Sequence, residues 1–359
     1  MEINQAVATL RHLLIKRCDL RSEQNRAHDV MHRLPLELKN RIFELVLPFW
    51  NEWADTVQLG RPRGKTPSYL TSICRNWRDI AWSNPFLWYT IPIVLGTRST
   101  SDPNWVDFVY DWIQRSRTLP LTLHTTVYDN QDSEDDLEVN LEEQLIDVFD
   151  VMSQCPNEWQ SLSLEIPFSF LHLFHNGDND FKSHLLTVRR LRITEMDDDW
   201  DDVDQPVHPT MSPEKIEING LTFNSLPISW NHLTSAEVSY WDLEQVTQLF
   251  QHAPQMICCS IWWPRRDAPD FVMPPIIHRM LQTLYLRCNT DVMPMLLDAL
   301  TLPCLRATET GIMAAAHLPS LVHRSSCPLT RITLLEMAQV PSDLQPLPGG
   351  DRPSSRTGA

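Results

Sequence analysis

Met256-Ile257-Cys258-Cys259-Ser260-Ile261 and Leu281-Gln282-Thr283-Leu284-Tyr285-Leu286 share one spacing: an apolar residue, another three positions later, and a third two after that. The last two positions alternate, as residues on one face of a strand must. The same spacing occurs at Trp159-Leu162-Leu164, Val188-Leu191-Ile193, Leu233-Ala236-Val238 and Leu329-Ile332-Leu334. Weaker copies are Pro213-Ile216-Ile218 and Leu302-Leu305-Ala307. Between several copies lies helical material. Leu243, Val246, Leu249 and Phe250 share one helix face, with Asp242 placed to cap its start. Val292 to Leu300 reads similarly, with Pro294 in the first turn.

Successive copies lie roughly 20–29 residues apart, the range of leucine-rich repeats. The Asn or Cys of a regular repeat is mostly absent, so the repeats are degenerate. The pattern predicts an irregular α/β solenoid of side-by-side parallel strands, with the triple positions inward. The alternating positions Ser163, Arg192, Glu237, Ser260, Tyr285 and Thr333 then face outward, polar or amphipathic and mixed in charge. The adjacent run Trp262-Trp263-Pro264-Arg265-Arg266 carries the residue types enriched in interface hot spots. Arg192, Glu237, Trp262, Trp263 and Tyr285 are the candidate target-binding residues.

Outward from the repeats, four regions follow: an N-terminal helix in 1–30, a compact helical unit in 31–92, the repeat region in 93–340, and a Pro/Gly/Ser-rich tail in 341–359 that reads as disordered. In the first, Ile3, Val7, Leu10, Leu14 and Arg17 form a short heptad-like stripe. The stripe is too short for a coiled coil, so the helix is expected to pack back onto the next domain, with self-association as the alternative. Within the repeat region, Leu141, Leu145, Val148, Phe149 and Met152 form one helix face behind an acidic run.

In the helical unit, Leu38, Ile42, Leu45, Val46 and Phe49 make one apolar stripe, and Leu36, Phe43 and Leu47 an adjacent one. That arc is about twice the ≳100° a surface helix needs for its own core. One stripe is therefore free for a partner, or the helix is sandwiched. A second helix is expected over Tyr69–Ala81, ended by the turn chemistry of Ser83-Asn84-Pro85. Phe86, Leu87 and Trp88 return the chain to the core.

This order resembles the F-box: Leu34-Pro35-x-Glu37 opening a helix, then Cys74-Arg75-x-Trp77-Arg78, then Asn84-Pro85-x-Leu87-Trp88. It is most similar to the F-box-like proteins of mushroom-forming fungi, which carry loose leucine-rich-repeat-like C-terminal regions. The connection from Trp50 to Pro67 is longer than in a minimal F-box. The resemblance implies a non-catalytic substrate receptor of a Skp–cullin–F-box ubiquitin ligase. The F-box docks on the Skp-type linker and the repeats select a target protein. Leu34, Pro35, Leu38 and Ile42 are then expected to meet the linker, helped by Trp82 and Trp88. The alternative is an F-box scaffold that binds the linker without promoting ubiquitylation.

Composition narrows the chemistry. The net charge of −16 argues against nucleic acid and anionic membrane as partners. Nine glycines in 359 residues leave little for phosphate-cradling loops. No nucleophile-elbow, zincin, Walker or dinucleotide motif occurs. The eight cysteines include no CxxC pair, so reduced thiols in cytoplasm or nucleus are expected, with no metal and no cofactor. His172 and His175 lack a third ligand at a characteristic spacing, and Asp197, Asp199 and Asp201 lack the Gly and Glu of a calcium loop.

Overall fold

The computed structural model describes residues 2–28, 30–47, 67–96, 105–127, 134–155, 158–166, 188–195, 211–226, 228–264, 271–287 and 292–335. The His pair, the Asp run, the connection after Trp50 and the tail lie outside them. The chain divides into two compact units, Met1–Trp200 and Asp201–Ala359. The class is mixed α/β, with parallel sheet in each unit.

The first unit opens with helix α1 (Glu2–His28). Residues 5–24 of α1 are all exposed, Leu10, Leu13, Leu14, Ile15 and Leu20 among them, so the expectation that this helix packs back onto its neighbour is overturned. Helix α2 (Leu36–Val46) follows a short 3-10 turn, and Pro35 stands just before its first residue. The single second helix expected over Tyr69–Ala81 is two: α3 (Pro67–Ile73) and α4 (Arg75–Ser83). The break is at Cys74, extended at φ −158° and ψ 169°. Thr71 and Ser72 donate their hydroxyls to the carbonyls of Ser68 and Tyr69, which favours ending a helix. Arg78 Nε then caps the freed Thr71 carbonyl at 2.9 Å.

The turn after α4 follows its sequence. Asn84 is buried, its Oδ1 accepts from the Phe86 amide at 3.1 Å, and Pro85–Leu87 forms one 3-10 turn. Trp88 is sealed in the core at 1% exposure, and its indole N–H donates to the Ala81 carbonyl at 2.7 Å. Strand β1 (Thr90–Leu95) begins immediately, inside the region assigned to the helical unit. Ile91 and Ile93 align with Leu123 and Thr125 of β2 (Leu121–Val127), which align in turn with Leu162 and Leu164 of β3 (Trp159–Ile166). Trp88-Ile91-Ile93 is thus one more copy of the apolar triple, hidden in the sequence by the overlapping turn. Strand β4 (Arg190–Glu195) pairs next, with Leu191 and Ile193 in the same buried rows. Helix α5 (Trp105–Ser116) connects β1 to β2, and α6 (Glu134–Gln154) connects β2 to β3. On α6 the expected face is buried: Leu141, Leu145, Val148, Phe149 and Met152.

In the second unit six parallel strands lie in chain order: β5 (Lys215–Asn219), β6 (Ser235–Ser239), β7 (Cys258–Trp262), β9 (Thr283–Arg287), β11 (Ala307–Gly311) and β12 (Arg331–Leu335). The short strands β8 (Ile276–Ile277) and β10 (Leu300–Thr301) pair separately. One row runs Ile216, Ala236, Cys259, Leu284, Thr308, Ile332, and a second runs Ile218, Val238, Ile261, Leu286, Thr310, Leu334. From β5 to β11 every member of both rows is buried. Each fully buried Leu or Ile contributes about 1.5–3 kcal/mol.

Three details differ from the sequence reading. In β11 the inward pair is Thr308 and Thr310, so the weak copy Leu302-Leu305-Ala307 was out of phase; threonine hid the true one, Leu305-Thr308-Thr310. In β12 the inward positions Ile332 and Leu334 are 53% and 51% exposed, because β12 ends the row and has a described strand on one side only. Ser163 and Ser260 were expected outward on an open face but are buried, because larger neighbours overhang such short side chains.

Helix α7 (Leu243–His252) connects β6 to β7, capped by Asp242 Oδ1 accepting from the Gln245 amide at 2.7 Å. Helix α8 (Val292–Ala299) connects β9 to β10 and α9 (Leu318–Ser325) precedes β12. His278 locks a turn below α7: Nε2 meets the Ala253 carbonyl at 2.9 Å and Nδ1 accepts from the Leu281 amide at 3.1 Å.

Four strands are followed at once by a left-handed residue: Gly96 after β1, Gly220 after β5, Tyr240 after β6 and Trp263 after β7, with φ of 72°, 89°, 63° and 43°. Gly220 N–H donates to the last carbonyl of β6 and Tyr240 N–H to the last carbonyl of β7, so the ladder gains one bond before the chain turns away. Glycine takes this conformation without strain, whereas a residue with a Cβ gives up roughly 1–2 kcal/mol. Tyr240 and Trp263 therefore sit where glycine would be easier.

Candidate functional site

Two surfaces collect the residues singled out by the sequence. The first is on α2. Phe43 is fully buried and packs on Trp77 with ring centroids 5.0 Å apart. The other apolar stripe stays outside: Leu38, Leu45 and Val46 are 52%, 56% and 49% exposed, Ile42 and Leu34 are half-buried, and Pro35 is exposed. Leu36 is exposed as well. Of the six expected linker residues, Leu38, Pro35 and Trp82 offer open surface, and Leu34 and Ile42 offer part of theirs. Trp88 is a correction. Its ring is enclosed, stacked edge-on against Trp112 at 5.2 Å, and contributes no surface. Trp82 is exposed and carries the Arg78 and Arg115 guanidiniums at 5.7 and 5.1 Å from its ring centre. Arg115 also lies 4.8 Å from the Trp88 ring, so one cation bridges the outer and inner tryptophans.

The second surface is the half-exposed face of the six-stranded sheet. One row across it reads Glu217, Glu237, Ser260, Tyr285, Glu309, Thr333, and the next reads Asn219, Ser239, Trp262, Arg287. Glu237, Tyr285, Trp262 and Trp263 are thus brought together. Arg192 belongs to the other unit. Sequence reading missed Arg287, Glu309 and Tyr240. Arg287 Nε donates to Glu309 Oε1 at 2.8 Å, and its guanidinium lies 4.5 Å from the Trp262 ring and 5.7 Å from Tyr285. Period two from Tyr285 points to Arg287, and pairing across the ladder leads to Glu309. Tyr240 stacks on Trp263 with centroids 5.8 Å apart and planes 23° apart. Such a pair contributes about 0.5–1.5 kcal/mol, which roughly offsets the strain of one left-handed residue.

In the first unit the corresponding row is Pro92, His124, Ser163, Arg192. Burial, reinforced by Arg192, pushes the His124 pKa down to about 2, so the ring is neutral. Burial raises the Glu165 carboxyl and Arg192 opposes it. Burial likewise raises Cys258 and, more strongly, Cys259, which keeps both as thiols.

Among the described residues no group of three or more His, Cys, Asp or Glu is arranged to hold a metal. Among the same residues no helix is long and apolar enough to cross a membrane. No known family pattern matches the chain, and no curated protein matches it.

Proposed function

We propose that this chain is a substrate receptor of a Skp–cullin–F-box ubiquitin ligase, its helical segment docking on the Skp-type linker and its sheet region selecting a target protein. The observation that carries this reading is the uncovered stripe of α2, where Leu38, Leu45 and Val46 stay about half exposed behind Leu34-Pro35. A soluble fold rarely leaves a contiguous apolar patch without a partner. The repeated triple supports a leucine-rich-repeat-like solenoid, since each strand lies beside its neighbour in chain order and in parallel. The chain itself performs no chemistry in this reading. It raises the local concentration of target lysines near a charged ubiquitin-conjugating enzyme. Co-purification of the full chain with a Skp-type linker and cullin tests the assignment. Wild type should retain both, and the double variant Leu38→Asp with Leu45→Asp neither. Both positions are exposed, so circular dichroism should show that variant folded. A wild type that retains no linker would overturn the reading.

A further inference from the structure

We propose that β12 is a dimer interface: it pairs antiparallel with β12 of a second copy of this chain, across a two-fold axis at Thr333. Three observations converge on this edge of the second unit.

The first is that the last copy of the triple is left uncovered. In β7 and β9 the triples Met256-Cys259-Ile261 and Leu281-Leu284-Leu286 are fully buried. In β12 Leu329 is half-buried, and Ile332 and Leu334 are half exposed. Arrays of stacked repeats stay soluble by ending on a polar outer face. This row ends on isoleucine and leucine instead. The second is that the edge is unguarded. Natural sheets blunt an open edge with proline, lysine, a bulge or a covering element. Strand β1, at the edge of the first unit, carries Pro92 at mid-strand, and its Ile91 and Ile93 are buried. Strand β12 contains no proline, lysine or acid, and Arg331 at its start is its one charge. Its five residues pair with β11 in unbroken register, and no described strand lies on the other side.

The third observation, self-complementarity, selects a second copy as the occupant. Antiparallel pairing centred on Thr333 sets Ile332 opposite Leu334 of the second copy, and Thr333 opposite Thr333. The two uncovered triples then cover each other on the inward face. Apolar pairs and Thr–Thr pairs placed directly opposite stabilise an antiparallel ladder. Arg331 falls opposite Leu335, so no like charges face each other across the axis. A two-fold interface is one patch meeting itself in this way. A strand of five residues spans about 17 Å. The contact is therefore small, and a weak dimer is expected, with a dissociation constant of about 1–100 µM.

The test is sedimentation velocity on the full chain across that concentration range and about tenfold above it. Wild type should move from 41.7 kDa toward twice that mass as concentration rises. Ile332→Lys with Leu334→Lys should weaken dimerisation by about tenfold or more. Both positions are exposed, so its circular dichroism should match wild type. Leu10→Lys with Leu13→Lys, on the exposed helix α1, should leave dimerisation unchanged. The register is read separately by oxidation with copper phenanthroline. Thr333→Cys should form a disulfide-linked dimer well above the wild-type background, because opposite Cβ atoms lie about 4.5–5.5 Å apart. Thr330→Cys should stay at background, since its two copies would lie about 20 Å apart. A wild type that remains monomeric overturns the proposal, whether residues 341–359 or a target segment then covers the edge. So does a dimer that survives the β12 lysines or falls with the α1 lysines, and so does equal crosslinking at 330 and 333. None of these readings involves the linker, so the receptor proposal stands or falls apart from them.

Discussion

Helices α2 and α7 have 11 and 10 residues, and both are amphipathic, but they spend their apolar residues differently. Helix α7 buries Leu243, Val246, Leu249 and Phe250, and Asp242 caps its start through a side-chain hydrogen bond. Helix α2 has no side-chain cap, buries Phe43 alone, and leaves Leu36, Leu38, Leu45 and Val46 about half exposed. The sheet region covers α7 on its own. The short helical segment of α2, α3 and α4 has too little interior to cover α2. Completing the burial of each half-exposed residue would yield about 1 kcal/mol. That surplus is what a docking helix carries and a core helix cannot.

The sharpest break of this contrast is one charge placed on each helix. Val246→Asp puts an unpaired carboxylate where the side chain is 0% exposed. It should cost about 4 kcal/mol or more and unfold the second unit in urea titrations. Leu38→Asp, at 52% exposure, should leave the urea midpoint within about 0.5 kcal/mol of wild type. Its effect should appear in linker affinity instead, as a loss of about 30-fold or more by calorimetry, near 2 kcal/mol.

Two smaller tests concern the sheet regions. His124 has its pKa pushed down to about 2, and His278 is lowered as well. Both rings are neutral in the fold and protonate more readily once unfolded, so neither costs stability above about pH 6.5. Stability should fall as pH drops below that value, by about 2 kcal/mol at pH 5 for His124 alone. His124→Gln should flatten that slope in denaturation curves taken between these two pH values. The smallest effect has the opposite sign. Among the described residues the buried hydroxyls of Thr308 and Thr310 have no hydrogen-bond partner. Thr308→Val should raise stability by about 1 kcal/mol, since a methyl group is easier to bury there than an unpaired hydroxyl.

Much of the second unit was legible because strand period and repeat spacing agree there. Leu284 and Leu286, Cys259 and Ile261, Ala236 and Val238 occupy the expected rows. The reading failed where residue type and position part company. Threonine at 308 and 310 looks polar in sequence and lies inward. Trp88 carries two expectations, a return to the core and a share in the linker surface, and only the first is met: it opens a strand triple, and the strand holds it at 1% exposure. The break at Cys74 depended on hydroxyls of Thr71 and Ser72 competing for backbone carbonyls, which apolar periodicity does not register. The aromatic pair at Tyr240 and Trp263 was half visible: the tryptophan was noticed for its type, while the turn that pairs it with a tyrosine 23 residues earlier is a property of the ladder.

The uneven spacing of the triples bears on how such a chain can change. The two-residue step between the inward pair of each strand is kept, because one residue added inside it would turn every later side chain to the opposite face; the one slip, between Leu121 and Thr122 against β3, falls ahead of that pair. Between neighbouring strands the length drifts, from 20 residues (Ile216 to Ala236) to 39 (Leu123 to Leu162), while the rows stay aligned. Insertions and deletions are therefore tolerated in the connecting stretches and rejected in the strands. The half-exposed face can be rewritten one side chain at a time, at positions such as Glu237 and Tyr285, while the buried rows beneath keep their register. A lineage of such chains can diverge in what it recognises without a change of architecture.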